Sequence, residues 1–176
     1  VGDHDILAGL NIATLLAQAP GPVVVTPYAA ATGDTLAALT HLAPRRLVSI
    51  RGTNGFSLEV ETTLVQVASG GRSIPVHRLG PLDPSQTAAQ VAGRVPTGVS
   101  EAYLVPVSDA ASVFSASAVA GRVGAPLFTT GFMLPGEVVD ELDRLGPDAV
   151  VVAGTGAIIG VRTEAQIREL LDPLPR

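Results

Sequence analysis

Glycines, threonines and arginines at the ends of apolar runs are the residues of this chain best placed to do chemistry, and the chemistry they suit is anion binding. Arg51-Gly52-Thr53 and Gly154-Thr155-Gly156 each close a β-branched run, while Thr26, Asp109 and the pair Thr129 and Thr130 end or follow others. Backbone N–H groups in a glycine turn that opens onto a helix point outward, and the helix dipole adds positive potential. A phosphate or carboxylate can then be held without a basic side chain. A simpler reading stays open: Gly52, Gly55, Gly154 and Gly156 only permit positive φ in tight strand-to-helix turns. Asp5 and Asp109 fall at helix starts, where a carboxylate caps free N–H groups and contributes on the order of 1 kcal/mol.

Nothing in the chain demands catalysis. Asp3, His4 and Asp5 imitate a metal cluster, but the only other histidines are His41 and His77 and no second group stands at ligand spacing. No metal and no cofactor are expected. The absence of Cys removes thiolate ligands, Cys nucleophiles and disulfides, and the absence of Lys removes a Walker-type phosphate loop. No Gly-x-Ser-x-Gly elbow occurs. Gly154-x-Gly156-x-x-x-Gly160 resembles a dinucleotide fingerprint, which keeps a nucleotide-binding α/β enzyme as an alternative. Against it, a fingerprint opens a βαβ unit with an acidic residue about 20 positions on, and here the chain stops first.

The elements that must position these residues follow from the apolar pattern. Short runs bounded by Gly or Pro predict strands at 23–26, 47–51, 74–78, 102–107, 126–130 and 149–153. Ala-rich segments predict helices at 5–19, 33–42, 57–68, 84–95, 109–121, 135–145 and 163–171. Strict alternation implies right-handed βαβ crossovers, so the expected fold class is α/β, with parallel sheets and flanking helices. In such a sheet ligands favour the rim beyond the carboxyl ends of the strands. The expected binding residues are therefore Thr26, Arg51, Gly52, Thr53, Asp109, Thr129, Thr130, Gly154, Thr155 and Gly156.

The chain also repeats itself. Asp5 and Asp109, Pro22 and Pro126, and Thr26 and Thr130 are each 104 residues apart; the spacing is 103 for Pro44 and Pro147 and 102 for Gly52 and Gly154. A duplicated supersecondary unit with small loop deletions explains the drift. The polar turn Ser69-Gly70-Gly71-Arg72 suggests a division into residues 1–73 and 74–176, two related Rossmann- or flavodoxin-like repeat units, the first lacking an opening strand and helix.

Composition narrows the partners. Net charge is -5 over 176 residues and all eleven basic residues are Arg, which argues against a nucleic-acid surface. Arg45, Arg46 and Arg51 form the one basic cluster and read as solvated strand ends, a polyanion contact being the other reading. Mean hydropathy is +0.41, yet no apolar run nears the roughly 20 residues of a membrane span, which predicts a soluble chain. Phe132, Met133 and Leu134 form an apolar run in an expected loop, either an oligomer or partner contact or a segment tucked under a helix. The chain opens on Val1-Gly2, as processing or truncation would leave it, and its Arg, Ala, Val and Gly bias suggests a GC-rich source such as an actinobacterium.

Four stretches carry a resemblance. Arg78-Leu79-Gly80-Pro81-Leu82-Asp83-Pro84-Ser85-Gln86-Thr87-Ala88 is followed by Val107-Ser108-Asp109-Ala110-Ala111, by Gly124-Ala125-Pro126-Leu127-Phe128-Thr129, and by Val151-Val152-Ala153-Gly154-Thr155-Gly156. In this order they resemble the cell-wall-binding repeat of the second type, found on Gram-positive surface proteins, over about residues 75–171. The opening motif keeps Arg78, Leu79, Asp83, Thr87 and Ala88; its Gly has moved and its Arg-Tyr pair is Pro84-Ser85. Residues 3–67 match only the later two thirds, through Asp5, Gly21 to Thr26 and Arg51-Gly52-Thr53. The resemblance implies a non-enzymatic, extracellular, cell-wall-associated module that recognises an anionic glycopolymer or peptidoglycan. It allows a linked or associated hydrolase and a homo-oligomer, and a docking or regulatory domain for such a hydrolase is the nearest alternative.

Overall fold

A computed structural model describes residues 11–52, 55–154 and 159–172. In chain order the elements are α1 (Ile12–Gln18), α2 (Gly33–Leu42), β1 (Leu47–Gly52), α3 (Leu58–Ser69), β2 (Val76–Leu82), α4 (Pro84–Ala92), β3 (Glu101–Pro106), α5 (Ala110–Val123), β4 (Leu127–Thr130), α6 (Gly136–Leu145), β5 (Ala149–Val152) and α7 (Val161–Leu171). All strand pairs are parallel: β1 with β2 in one sheet, and β4-β3-β5 in the other. The second sheet has its first strand in the middle, the start of a flavodoxin-like order. The α/β class with parallel sheets and flanking helices is therefore the fold of this chain.

Local chemistry explains most boundaries. Ser57 caps α3 by accepting from Val60 N at 3.2 Å. Asp83 and Gln86 form a reciprocal capping box with Pro84 in the first turn of α4. Left-handed Gly70, Gly124 and Gly146 close α3, α5 and α6. Arg144 on α6 donates to the carbonyls of Ala92 and Val95 at 3.0 and 3.1 Å, tying off the end of α4.

The expected strand at 23–26 is not a strand. Only Thr26 makes an isolated bridge, although residues 22–25 remain irregular with Val23 and Val25 exposed. β2 begins and ends later than expected, running through Gly80 to Leu82. Pro81 is tolerated because β2 lies at a sheet edge, and a register shift between Ile50 and Gly52 absorbs the irregularity. Gly80, at φ +88°, donates its N–H to Gln90 Oε1 at 3.0 Å.

The central strand of the second sheet is covered on both faces. Ala102, Leu104 and Phe128 join Val138, Leu142 and Leu145 of α6 in one core. Tyr103, Val105 and Leu127 join Val113, Ala116 and Ala120 of α5 in a second. β3 thus buries both its faces, which is why it reads as a continuous apolar run. α4 packs on β2, β4 and α6, and α1 packs on α5. At the latter contact a Cβ on Gly121 would lie 2.7 Å from Ala13 Cβ, so glycine permits the approach. The division suggested between residues 73 and 74 runs between β1 and β2, which pair with each other.

Candidate functional site

The expected rim residues occupy several environments. Asp109 caps α5: its Oδ1 accepts from Ser112 N at 3.2 Å and its Oδ2 from Ser112 Oγ at 2.6 Å. The Ser112 hydroxyl and backbone bonds hold the Asp109 carboxyl below its usual range. An ionised carboxylate there already satisfies the helix end and opposes a second anion. Thr129 and Thr130 are fully buried in β4. Thr129 Oγ1 donates to Ser85 Oγ at 3.5 Å, and Thr130 Oγ1 donates to Met133 O at 2.9 Å. Gly154 lies so close to β3 that a Cβ would meet the Pro106 ring at 2.8 Å. Thr53, Thr155 and Gly156 lie outside the described residues, as do Asp3, His4 and Asp5.

At the end of β1 the arrangement is different. The Arg45, Arg46 and Arg51 cluster expected from sequence divides, because Arg51 turns inward with its side chain only 14% exposed. Arg51 donates to Phe56 O at 3.1 Å, stacks 5.9 Å from the Phe56 ring centre and lies 3.8 Å from Glu61 Oε2. Glu61, on α3, is 1% exposed and faces a second cation, Arg78 Nε, at 2.8 Å from Oε1. Neither carboxylate oxygen receives an aligned hydrogen bond despite this proximity. The register places Ser49 opposite Arg78, so Ser49, Arg51 and Arg78 share the face of the sheet that meets Glu61. Two arginines around one buried carboxylate leave one excess positive charge at the rim. Arg78, with half of its side chain in solvent, is the member able to meet an anion.

Thr26 is 2% exposed, and its Oγ1 has no partner. It lines a cavity of about 460 Å³ together with Ser49, Glu61, His77, Arg46 and Arg94, among mostly apolar walls. Sequence reasoning missed Glu61, Ser49 and Arg78 as members of a site. The available signal was a lone Glu at the fourth position of an otherwise apolar helix face, between two strands that each carry an Arg.

Helix ends complete the rim. Thr32, Ser57, Asp83 and Asp109 cap α2, α3, α4 and α5 with their own side chains, whereas α6 and α7 start at Pro135 and Gly160 without a side-chain cap. Between those two starts the 131–134 loop is held by Thr163 Oγ1, which donates to Phe132 O at 3.0 Å. Phe132 and Met133 stay exposed there, at 78% and 56%, while Leu134 is the residue that tucks into the core.

No protein-family model matches the chain, and no curated protein matches it at a significant level. Solved structures do. Cwp8 from Clostridium difficile superposes with a TM-score of 0.79 over 99% of this chain, at 23% identity. Cwp6 from the same organism gives 0.81 over 97%, at 16% identity. The chain spans 29% of the length of Cwp8 and 27% of that of Cwp6. At these identities the likeness establishes the fold, over essentially the whole chain.

Proposed function

We propose that this chain is a non-catalytic module that associates with the bacterial cell wall, extracellularly, by recognising an anionic envelope polymer. The observation that carries the reading is the fold match over essentially the whole chain to two cell wall proteins. The rim supplies a compatible chemistry: the starts of α6 and α7, which have no side-chain cap, and the excess positive charge of Arg51 and Arg78 over Glu61. On this reading Thr26, Arg51, Gly52, Thr53, Gly154, Thr155 and Gly156 flank the polymer, and residues 1–73 and 74–176 are two copies of one module.

Sedimentation with purified cell wall tests it. The chain should pellet with intact wall and remain in solution once the anionic polymers have been stripped. Equal pelleting on stripped wall would redirect the reading to peptidoglycan, and none on either would end it. The exposed Phe132 and Met133 support a second reading, docking onto a linked hydrolase or another copy of the module. Phe132→Ser with Met133→Ser would abolish that contact while leaving wall pelleting unchanged.

A further inference from the structure

Two exposed aromatic rings recur at the interval of the internal repeat. Tyr28 stands 104 residues before Phe132, the spacing that also separates Thr26 from Thr130, so each ring follows a buried threonine by two positions. Phe56, Tyr103 and Phe128 are buried in the cores, whereas Tyr28 is 51% exposed and Phe132 78%. A large apolar ring left in water forgoes the free energy of burial, and the chain forgoes it at this position twice.

The display at Phe132 is held from within. Thr130 and Thr163, both fully buried, donate from Oγ1 to Met133 O at 2.9 Å and to Phe132 O at 3.0 Å, and Leu134 inserts into the core behind them. A backbone tied down in this way lowers the ordering cost that a ligand of the exposed ring must offset. The apolar area on offer is small. Gly160 lies against Phe132 O and brings the exposed Val161 to the loop, but the first turns of α6 and α7 then carry Glu137, Arg162 and Glu164. A protein partner needs about 800 Å² on this side, and one aromatic side chain buries only about 150–250 Å². That area suits a single sugar ring, whose slightly positive C–H face stacks on the negative face of an aromatic. A ligand that repeats along its length can make the same contact in both units.

We propose that Tyr28 and Phe132 are stacking platforms for sugar rings of the envelope polymer, a neutral contact separate from the cationic one at Arg78. The inference rests on the wall-binding reading and deepens it, since the group recognised here is the glycan itself rather than its charge.

The test measures binding of the whole chain to the anionic polymer released from purified wall, with sugar-free polyphosphate as the control polyanion. Phe132→Ala and Tyr28→Ala should each weaken polymer binding about tenfold, leaving polyphosphate binding and the circular dichroism spectrum unchanged. Phe132→Leu should lose as much as Phe132→Ala, because it keeps apolar area and removes the flat ring, and Phe132→Tyr should retain binding. The chain has no Trp, so Phe132→Trp supplies a single reporter whose emission should shift saturably with the polymer and stay constant with polyphosphate. Polymer binding that survives both alanine substitutions, or losses equal for polyphosphate, would overturn the proposal. Full binding by Phe132→Leu would overturn it too, and would mark the loop as an apolar docking surface for a protein. A wild-type chain that binds no polymer would end the wall-binding reading and this proposal together, a result visible before any variant is made.

Discussion

Residues 23–26 and β4, 104 residues apart, are similar in sequence and fold differently. Leu127 is 2% exposed where its counterpart Val23 is 47% exposed, and Thr129 is fully buried where Val25 is 55% exposed. The sequences are similarly apolar, so propensity does not separate them. β3 gives β4 a ladder and a covered face, and, among the described residues, 23–26 lack a ladder of their own. A β-strand is completed by what lies beside it.

The largest expected contrast is in the core. Phe128→Ala should cost about 3–5 kcal/mol in denaturant unfolding, whereas Val24→Ala at the matching position should cost about 1 kcal/mol, because Val24 is only partly buried. Similar losses at both sites would mean that residues 23–26 pack as tightly as β4.

Buried charge sharpens the comparison next. Glu61 in α3 and Glu164 in α7 each occupy the fourth position of their helix. Glu61→Gln should destabilise the fold by about 3 kcal/mol, the low end for breaking a buried pair, since Arg78 keeps half its surface in water. Glu164→Gln, which removes the exposed pair with Arg168 at 3.6 Å, should change stability by less than about 1 kcal/mol.

Two smaller contrasts follow, each measurable by the same unfolding. α2 ends in left-handed Ala43 at φ +41°, where its counterpart α6 ends in Gly146 at φ +57°. Ala43→Gly should therefore stabilise by up to about 1 kcal/mol and Gly146→Ala destabilise by about as much. Thr130→Val should cost about 1 kcal/mol by leaving Met133 O unpaired, while Thr26→Val, which removes an orphan hydroxyl, should be neutral or stabilising.

The smallest effect is electrostatic. Hydrogen bonds from Ser112 lower the folded-state pKa of Asp109, so its contribution is present above the ordinary carboxylate range and is lost as pH falls through the folded value. Asp109→Asn should accordingly differ from wild type near neutral pH, and the difference should shrink on acidification. A constant difference across the range would assign the effect to packing.

Of the site, the parts legible beforehand were the local ones. Asp109 as a helix cap follows from residue type and neighbouring residues alone, whereas the close approach at Gly154 depends on Pro106 of β3. Arg51 was visible as a cation but not as an inward-facing one, because its partners Phe56 and Glu61 come from the loop and helix beyond it and its co-ligand Arg78 from the next strand. Burial of Thr129 and Thr130 likewise depended on Ser85 and Met133, on different elements.

The amino-acid sequence by itself determined the alternation of strands and helices from β1 onward and the cap at Asp109, since these rest on periodicity and on interactions spanning a few residues. Only the tertiary structure decided that residues 23–26 would form no strand beyond the bridge at Thr26, that Glu61 would be buried between two arginines, and that a cavity would open beside β1. Those outcomes depend on which distant segments come together, and the free energy of pairing and burial belongs to the neighbours as much as to the segment itself.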